Sequence, residues 1–293
     1  MRPAPFIARW QVAPIVCGAF EARLVLDDET LFAGHYPGAP ILPGTFLIEA
    51  LFQAANTALG GMARLEEVVA CRFHSPLLPG DALVATFTFK DAGAGRTIAH
   101  VTASGRTKAA ELTLLVALPG AHPKDLDSAM TVPPLAGPSA PTLDAPFIHR
   151  VLPHRPPALL IDSAIVLDQP GAAPALLARR SIAANEFCSM LIVKSFCQAC
   201  GLLRAATGPA SEPREGTKVP VVAKFAGLRF TRNAAPGDLL EHHVQLVVRS
   251  GEGAVFSGQT TVAGRTVLQV GRVVAALADI QQGSGPARQY SGD

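Results

Sequence analysis

Gly34-His35-Tyr36-Pro37-Gly38-Ala39-Pro40-Ile41-Leu42-Pro43-Gly44 is the stretch whose reading decides the fold. Three prolines and three glycines stiffen it around a single histidine. Proline fixes φ and glycine permits turns closed to other residues, so the segment reads as a rigid loop. The apolar run Thr45-Phe46-Leu47-Ile48-Glu49-Ala50-Leu51-Phe52-Gln53-Ala54-Ala55 follows at once and predicts a buried helix with one carboxylate inside it. A rigid turn bearing a base, His35, therefore opens onto a buried helix bearing an acid, Glu49.

Outward from that stretch the chain reads as strands. Residues 10–28 alternate loosely between apolar and polar types, and the helix is expected to stop at Gly60-Gly61. Glu67 to Phe73, Leu83 to Phe89, Thr97 to Ala103 and Leu112 to Ala117 are rich in strand formers and predict a meander, with a turn at Pro79-Gly80-Asp81. Prolines then crowd residues 119–146, which predicts a semi-rigid linker. Beyond it the order repeats. Met190 to Leu203 answers the first helix, Val219 to Phe225 leads toward Pro236-Gly237-Asp238, and Gly264-Arg265-Thr266 answers Gly105-Arg106-Thr107. The expected organisation is an α+β unit at 1–118, the linker at 119–146, a second unit at 147–280 and a mobile Gly/Ser/Gln-rich tail at 281–293.

The halves are not equivalent. With Gln53 set against Gln198, Glu49 falls opposite Lys194. In the second half Ser181 to Cys188 runs almost directly into the helix, so the histidine loop has no counterpart there.

Bulk composition narrows the function. A chain of 293 residues that is 49% hydrophobic and 16% charged buries a large core, and a net charge of +2 gives no global field for nucleic acid. No apolar run is long enough for a membrane span, and the amino-terminal residues lack a secretory core. Five scattered cysteines fit a reducing, cytoplasmic setting. Cys197 and Cys200 fall inside an apolar helix without a second pair at metal spacing, so they read as helix packing and not as a metal site.

Together these residues resemble the FabZ/FabA family of β-hydroxyacyl-acyl carrier protein dehydratases. The loop Gly34 to Gly44, Glu49 with Gln53, Arg72-Phe73 and Pro79-Gly80-Asp81 carry the resemblance in the first half. Leu152-Pro153-His154-Arg155-Pro156-Pro157-Ala158-Leu159-Leu160-Ile161-Asp162, Ser181 to Phe187, Arg229-Phe230-Thr231-Arg232 and Pro236-Gly237-Asp238 carry it in the second. A fused pair with one degraded half is also similar to dehydratases of polyene and aryl-polyene pathways. The resemblance implies a tandem double hotdog: two antiparallel sheets, each wrapped around one long central helix, forming a pseudo-dimer. It implies a hydro-lyase converting β-hydroxyacyl thioesters on an acyl carrier protein to trans-2-enoyl thioesters, with no metal and no organic cofactor.

That chemistry needs a base for the α-proton, an acid for the departing hydroxyl and a donor for the enolate-like oxygen. His35 suits the first and Glu49, if desolvated, the second. Gly44 stands where loop meets helix, so its N–H suits the third. Family sites take histidine and carboxylate from different hotdogs. If the halves pair with each other, His35 meets Lys194, Ser195 and Gln198 instead of a carboxylate. The favoured expectation is that His35 acts nearly alone, with Gln198 or Lys194 within hydrogen-bond reach to hold the hydroxyl. The alternatives are pairing of two chains, which restores Glu49, and a non-catalytic subunit that only binds acyl carrier protein. A hotdog thioesterase ranks lowest, having no need of the histidine loop. The substrate tunnel is expected along the central helices, and Arg72, Lys224, Arg229 and Arg232 near its entrance as contacts for the carrier protein. His74, His100, His149, His154, His242 and His243 are expected to be strand or turn residues, with His154-Arg155 structural.

Overall fold

Alternation of buried and exposed side chains, as in Ala99, Val101 and Ala103 inside with His100 and Thr102 outside, sets the strands of this chain. The computed structural model describes residues 10–15, 18–122, 142–167, 173–184, 189–208 and 218–279. The first half runs β1 (Gln11–Pro14), β2 (Ala19–Val25), α1 (Gly44–Ala58), β3 (Arg64–Phe73), β4 (Ala82–Gly93), β5 (Arg96–Ser104) and β6 (Lys108–Ala117). The second runs β7 (Thr142–Leu143), α2 (Ala145–Val151), β8 (Ser163–Leu167), β9 (Ala175–Ser181), α3 (Ser189–Ala206), β10 (Lys218–Phe230), β11 (Leu239–Ser250), β12 (Gly253–Val262) and β13 (Arg265–Asp279).

The strand order β2-β4-β5-β6-β3 in the first half is repeated as β9-β11-β12-β13-β10 in the second. The two expected sheets are joined edge to edge, because β3 pairs antiparallel with β10, Arg72 opposite Lys224 and Glu67 opposite Arg229. Among the described residues thirteen strands thus form one sheet, which removes two open edges at the centre. Helices α1 and α3 lie against their own halves and against each other, giving the double hotdog arrangement.

The repeat extends to single hydrogen bonds. In the first half Asp81 Oδ2 accepts from Leu78 N at 2.8 Å, and the turn hooks onto β2's exit through Gly80 N to Leu26 O. In the second Asp238 Oδ2 accepts from Ala235 N at 2.7 Å, and Gly237 N reaches Ile182 O. Both glycines have positive φ, +80° and +93°, so Pro-Gly-Asp recurs because one backbone turn recurs.

Most of the proline-rich segment at 119–146 lies outside the described residues, as do the tail at 281–293 and residues 185–188 before α3. Within the segment read as linker, Thr142–Leu143 form a short strand that pairs with β8. Asp144 Oδ1 then caps α2 by accepting from Phe147 N at 2.9 Å, with proline in the first turn. Prolines at 119–146 read as linker, yet Pro146 stands at a helix start, where proline is favoured.

The halves dock through backbone. Gly34 O accepts from Arg155 N at 3.0 Å. Gly34 has φ +73°, and a Cβ built there would stand 2.0 Å from Arg155 O. Gly34→Ala thus meets both a left-handed backbone and a backbone clash. We expect it to lower unfolding free energy by at least about 2 kcal/mol in urea titration, whereas alanine at Gly38, which has open space around it, should cost only the about 1–2 kcal/mol of its positive φ.

Candidate active site

The loop closes on itself at His35. Its N–H donates to Phe32 O at 2.9 Å and its C=O accepts from Ile41 N at 3.1 Å. Tyr36 and Ala39 exchange two backbone hydrogen bonds across Pro37-Gly38, making the tight turn that the prolines foretold. The side chain follows: His35 Nδ1 lies 3.1 Å from Ile41 O. A carbonyl only accepts, so Nδ1 carries the hydrogen and Nε2 keeps the lone pair. The Tyr36 ring stacks on His35 with centroids 4.2 Å apart, and its hydroxyl donates to Pro220 O of β10 at 3.1 Å. The loop of the first half is therefore pinned to the second half at Gly34 and at Tyr36.

Beside the loop α1 begins at Gly44, after Pro43, which has no N–H to give. Phe46 N and Leu47 N both turn back to Pro43 O. The N–H groups of Gly44 and Thr45 find no acceptor among the described residues, as the first turn of a helix dictates. A Cβ on Gly44 would fall 2.7 Å from the Phe73 ring, so glycine is required there by packing as well. The Thr45 hydroxyl is buried and also unpartnered among the described residues.

These groups line a cavity of about 170 Å³ shared by both halves. The first half gives His35, Gly44, Thr45 and Phe73. The second gives His154, one face of α3 from Lys194 through Gly201 to Arg204, and apolar residues of β10 and β13. Lys194 to Arg204 spans about 15 Å of helix, so the tunnel runs along α3 and touches only the start of α1.

Several sequence expectations land elsewhere. Glu49 does not line this cavity; Gln53 Nε2 donates to its Oε1 at 3.0 Å along α1. Neither Gln198 nor Lys194 is hydrogen-bonded to His35. Gln198 Oε1 accepts from Leu160 N at 2.9 Å and its Nε2 donates to Ala158 O at 2.7 Å. It is a strut between α3 and the segment after His154, because buried backbone groups without a sheet partner need a side chain. Ser195 turns its hydroxyl back to Leu191 O and Ile192 O of its own helix, away from the cavity. Cys197 and Cys200 both line the cavity; burial pushes the Cys197 thiol up to about 12, leaving it a poor nucleophile.

Lys194 does face the cavity. Its Nζ stands 4.6 Å from the centroid of the Phe46 ring, a cation–π contact. Burial, and secondly the nearby Arg180 guanidinium, bring its pKa down to about 7. Burial and then Lys194 hold His35 down to about 3, so it is neutral at neutral pH. His154, expected to be structural, joins them. Its ring centroid is 5.1 Å from that of His35 and 5.0 Å from that of Tyr36. Burial, then the charges of His35, Lys194 and Arg155, lower its pKa well below the ordinary histidine value. The sequence signal was Leu152-Pro153-His154-Arg155 itself; its place depends on the Gly34–Arg155 contact across more than a hundred residues.

Of the expected surface cations, Arg229 is engaged by Glu67 at 3.2 Å. Arg72 and Lys224 are exposed and directly opposite each other across β3 and β10. Arg232 is exposed just past the end of β10. Among the described residues no helix is long and apolar enough to cross a membrane.

The ApeI-like family model, described as ApeI dehydratase, matches residues 19–110. The chain is 36% identical over 157 residues to the 3-hydroxyacyl-(acyl-carrier-protein) dehydratase FabZ of Anaeromyxobacter sp. strain Fw109-5, covering 49% of this chain and 96% of that protein. It is 43% identical over 68 residues to FabZ of Thermus thermophilus, covering 20% of this chain and 48% of that one. Among solved structures, the dehydratase domain of PpsC from Mycobacterium tuberculosis in complex with C12:1-CoA is similar at TM-score 0.65 and 20% identity, covering 94% of this chain and 99% of that one. The bifunctional dehydratase-cyclase domain of ambruticin biosynthesis is similar at TM-score 0.61 and 22% identity, covering 94% and 99%. At these identities the structures speak for the fold.

Buried neutral histidines make the fold sensitive to acid. His35 and His242 are each held near 3 in the fold, chiefly by burial, against 6.5 when free. Between those limits the unfolded chain binds the proton and the folded one does not. Stability is thus full above 6.5 and falls as pH drops, by about 1.4 kcal/mol per pH unit for each histidine. Urea midpoints should decline steadily from pH 6.5 to 5, and the decline should be shallower in His242→Gln.

Proposed function

The chain belongs to the 3-hydroxyacyl-(acyl-carrier-protein) dehydratase FabZ family, and from that premise we propose how its cavity removes water from a β-hydroxyacyl thioester. The observation that carries the reading is the ring of His35. Its Nδ1–H is spent on Ile41 O, so Nε2 faces the reaction as a neutral base beside the unpartnered N–H of Gly44.

The thioester carbonyl sits at the start of α1, where Gly44 N–H and the positive end of the helix dipole receive the charge that develops on oxygen. Thr45 N–H and hydroxyl lie alongside as further donors. His35 Nε2 takes the α-proton. The β-hydroxyl points across the cavity to α3, where Lys194 as an ammonium gives it a proton, and water leaves with the C–O electron pair as the double bond forms. Burial has brought Lys194 near neutrality, so it can act as an acid where an ordinary lysine would hold its proton too tightly. Glu49 takes no part. The acyl chain extends along α3 over Gly201 toward Arg204. The phosphopantetheine arm brings the substrate from an acyl carrier protein, whose acidic surface suits the Arg72 and Lys224 pair with Arg232 nearby.

Incubation with a β-hydroxyacyl carrier protein should yield a product lighter by one water, detected by mass spectrometry. His35→Ala should lower kcat by at least about 100-fold. Absence of the lighter product at every chain length would leave the chain as a carrier-protein-binding subunit. The pH profile is signed by Lys194: it must be protonated, so kcat should fall as pH rises through about 7. Lys194→Met should slow the reaction and remove that alkaline limb. Charge reversal at Arg72 and Lys224 should raise KM for carrier-bound substrate while leaving KM for a pantetheine thioester unchanged.

A further inference from the structure

Elimination leaves the site out of register with its starting state. His35 has gained a proton and Lys194 has lost one, and both are buried. Before the next turnover His35 must lose its proton and Lys194 must regain one, and a transfer from the loop to α3 does both. Beside His35 in this cavity stands a further titratable ring, His154. It is 8% exposed and lines the same cavity as His35 and Lys194. Its ring centroid is 5.1 Å from that of His35. Its Nδ1 is buried and accepts or donates no hydrogen bond among the described residues, and no described hydrogen bond engages Nε2. An imidazole buried with neither nitrogen bonded is costly, and packing against Tyr36 needs only a ring.

We propose that His154 is a proton relay that returns the proton from His35 to Lys194 after each turnover, inside the cavity the halves share. This rests on the dehydratase reading given above. The balance is simple. Protonated His35 gives up the Nε2 proton to the free ring nitrogen of His154, which becomes a transient imidazolium. The same nitrogen then passes it to the neutral amine of Lys194. No carbon bond changes, and all three residues end as they began. Burial disfavours the imidazolium of His35 and lowers it further than it lowers Lys194, so the proton comes to rest on the lysine. The neighbouring Arg155 cation keeps the imidazolium short-lived.

The relay predicts a kinetic signature that a structural ring would not give. His154→Phe keeps the aromatic packing, and His154→Gln keeps hydrogen-bonding capacity, but neither carries a proton. In rapid-quench experiments both should form up to one enoyl equivalent per site at the wild-type rate, then continue at least about tenfold more slowly, with KM falling in step with kcat so that kcat/KM is unchanged. The wild type should show no such burst. Unchanged steady-state rates, or equal slowing of first and later turnovers in a variant whose thermal melting matches the wild type, would overturn the relay. If one variant does not fold, the other decides. A wild type that forms no enoyl product fails the dehydratase reading itself, a result distinct from either outcome above.

Discussion

The approach of Gly34 to the backbone of Arg155 is the contact on which the site depends. A Cβ at Gly34 would overlap the Arg155 carbonyl, so the loop can lie on the second half only because the residue before the histidine has no side chain. That contact brings His154, one residue earlier, against His35 and Tyr36. The halves divide the work of one site between them. The first presents a base and a helix amino-terminus, and the second presents a wall, a lysine and a second histidine.

The division follows from how two such units pair. Each helix has a start and a flank. In the His35 cavity the start comes from α1 and the flank from α3. A carboxylate on the flank of α1, such as Glu49, therefore lies outside the cavity that its own loop builds. The residue that matters is the one at the equivalent turn of the other helix, and there the chain has Lys194.

Much of this was legible in the sequence because it is local. Pro-Gly-Asp, the glycine stop after α1 and the stiff loop each encode backbone geometry within a few residues, and each is found in the structure where it was read. The pairing argument that set Glu49 against Lys194 also came from the repeat alone. What sequence could not supply was the direction of side chains whose partners are distant backbone atoms. Gln198 read as a substrate-orienting amide but ties down Ala158 and Leu160. Ser195 read as a cavity residue but bonds within its helix. Arg229 read as a contact for the carrier protein but meets Glu67. His154 read as structural because nothing in its own segment shows that Gly34 draws it to the loop.

The electrostatics of the cavity give the arrangement its logic. His35, His154 and Lys194 line it together, and no aspartate or glutamate among the described residues does. Three nitrogen bases in an apolar enclosure resist charging, which is why all three have lowered pKa values. The two histidines stay neutral at neutral pH, so Lys194 is the one of the three that carries appreciable charge while the site is empty. In the elimination we propose, negative charge grows on the thioester oxygen and on the departing hydroxyl, and the ammonium and helix donors then have partners that the resting cavity lacks. The missing anion is supplied by the reaction itself. Stabilisation is thus concentrated at the transition state and largely withheld from the ground state, which is the condition for catalysis. A glutamate in the same wall would hold Lys194 as a permanent ammonium and satisfy it before substrate arrived.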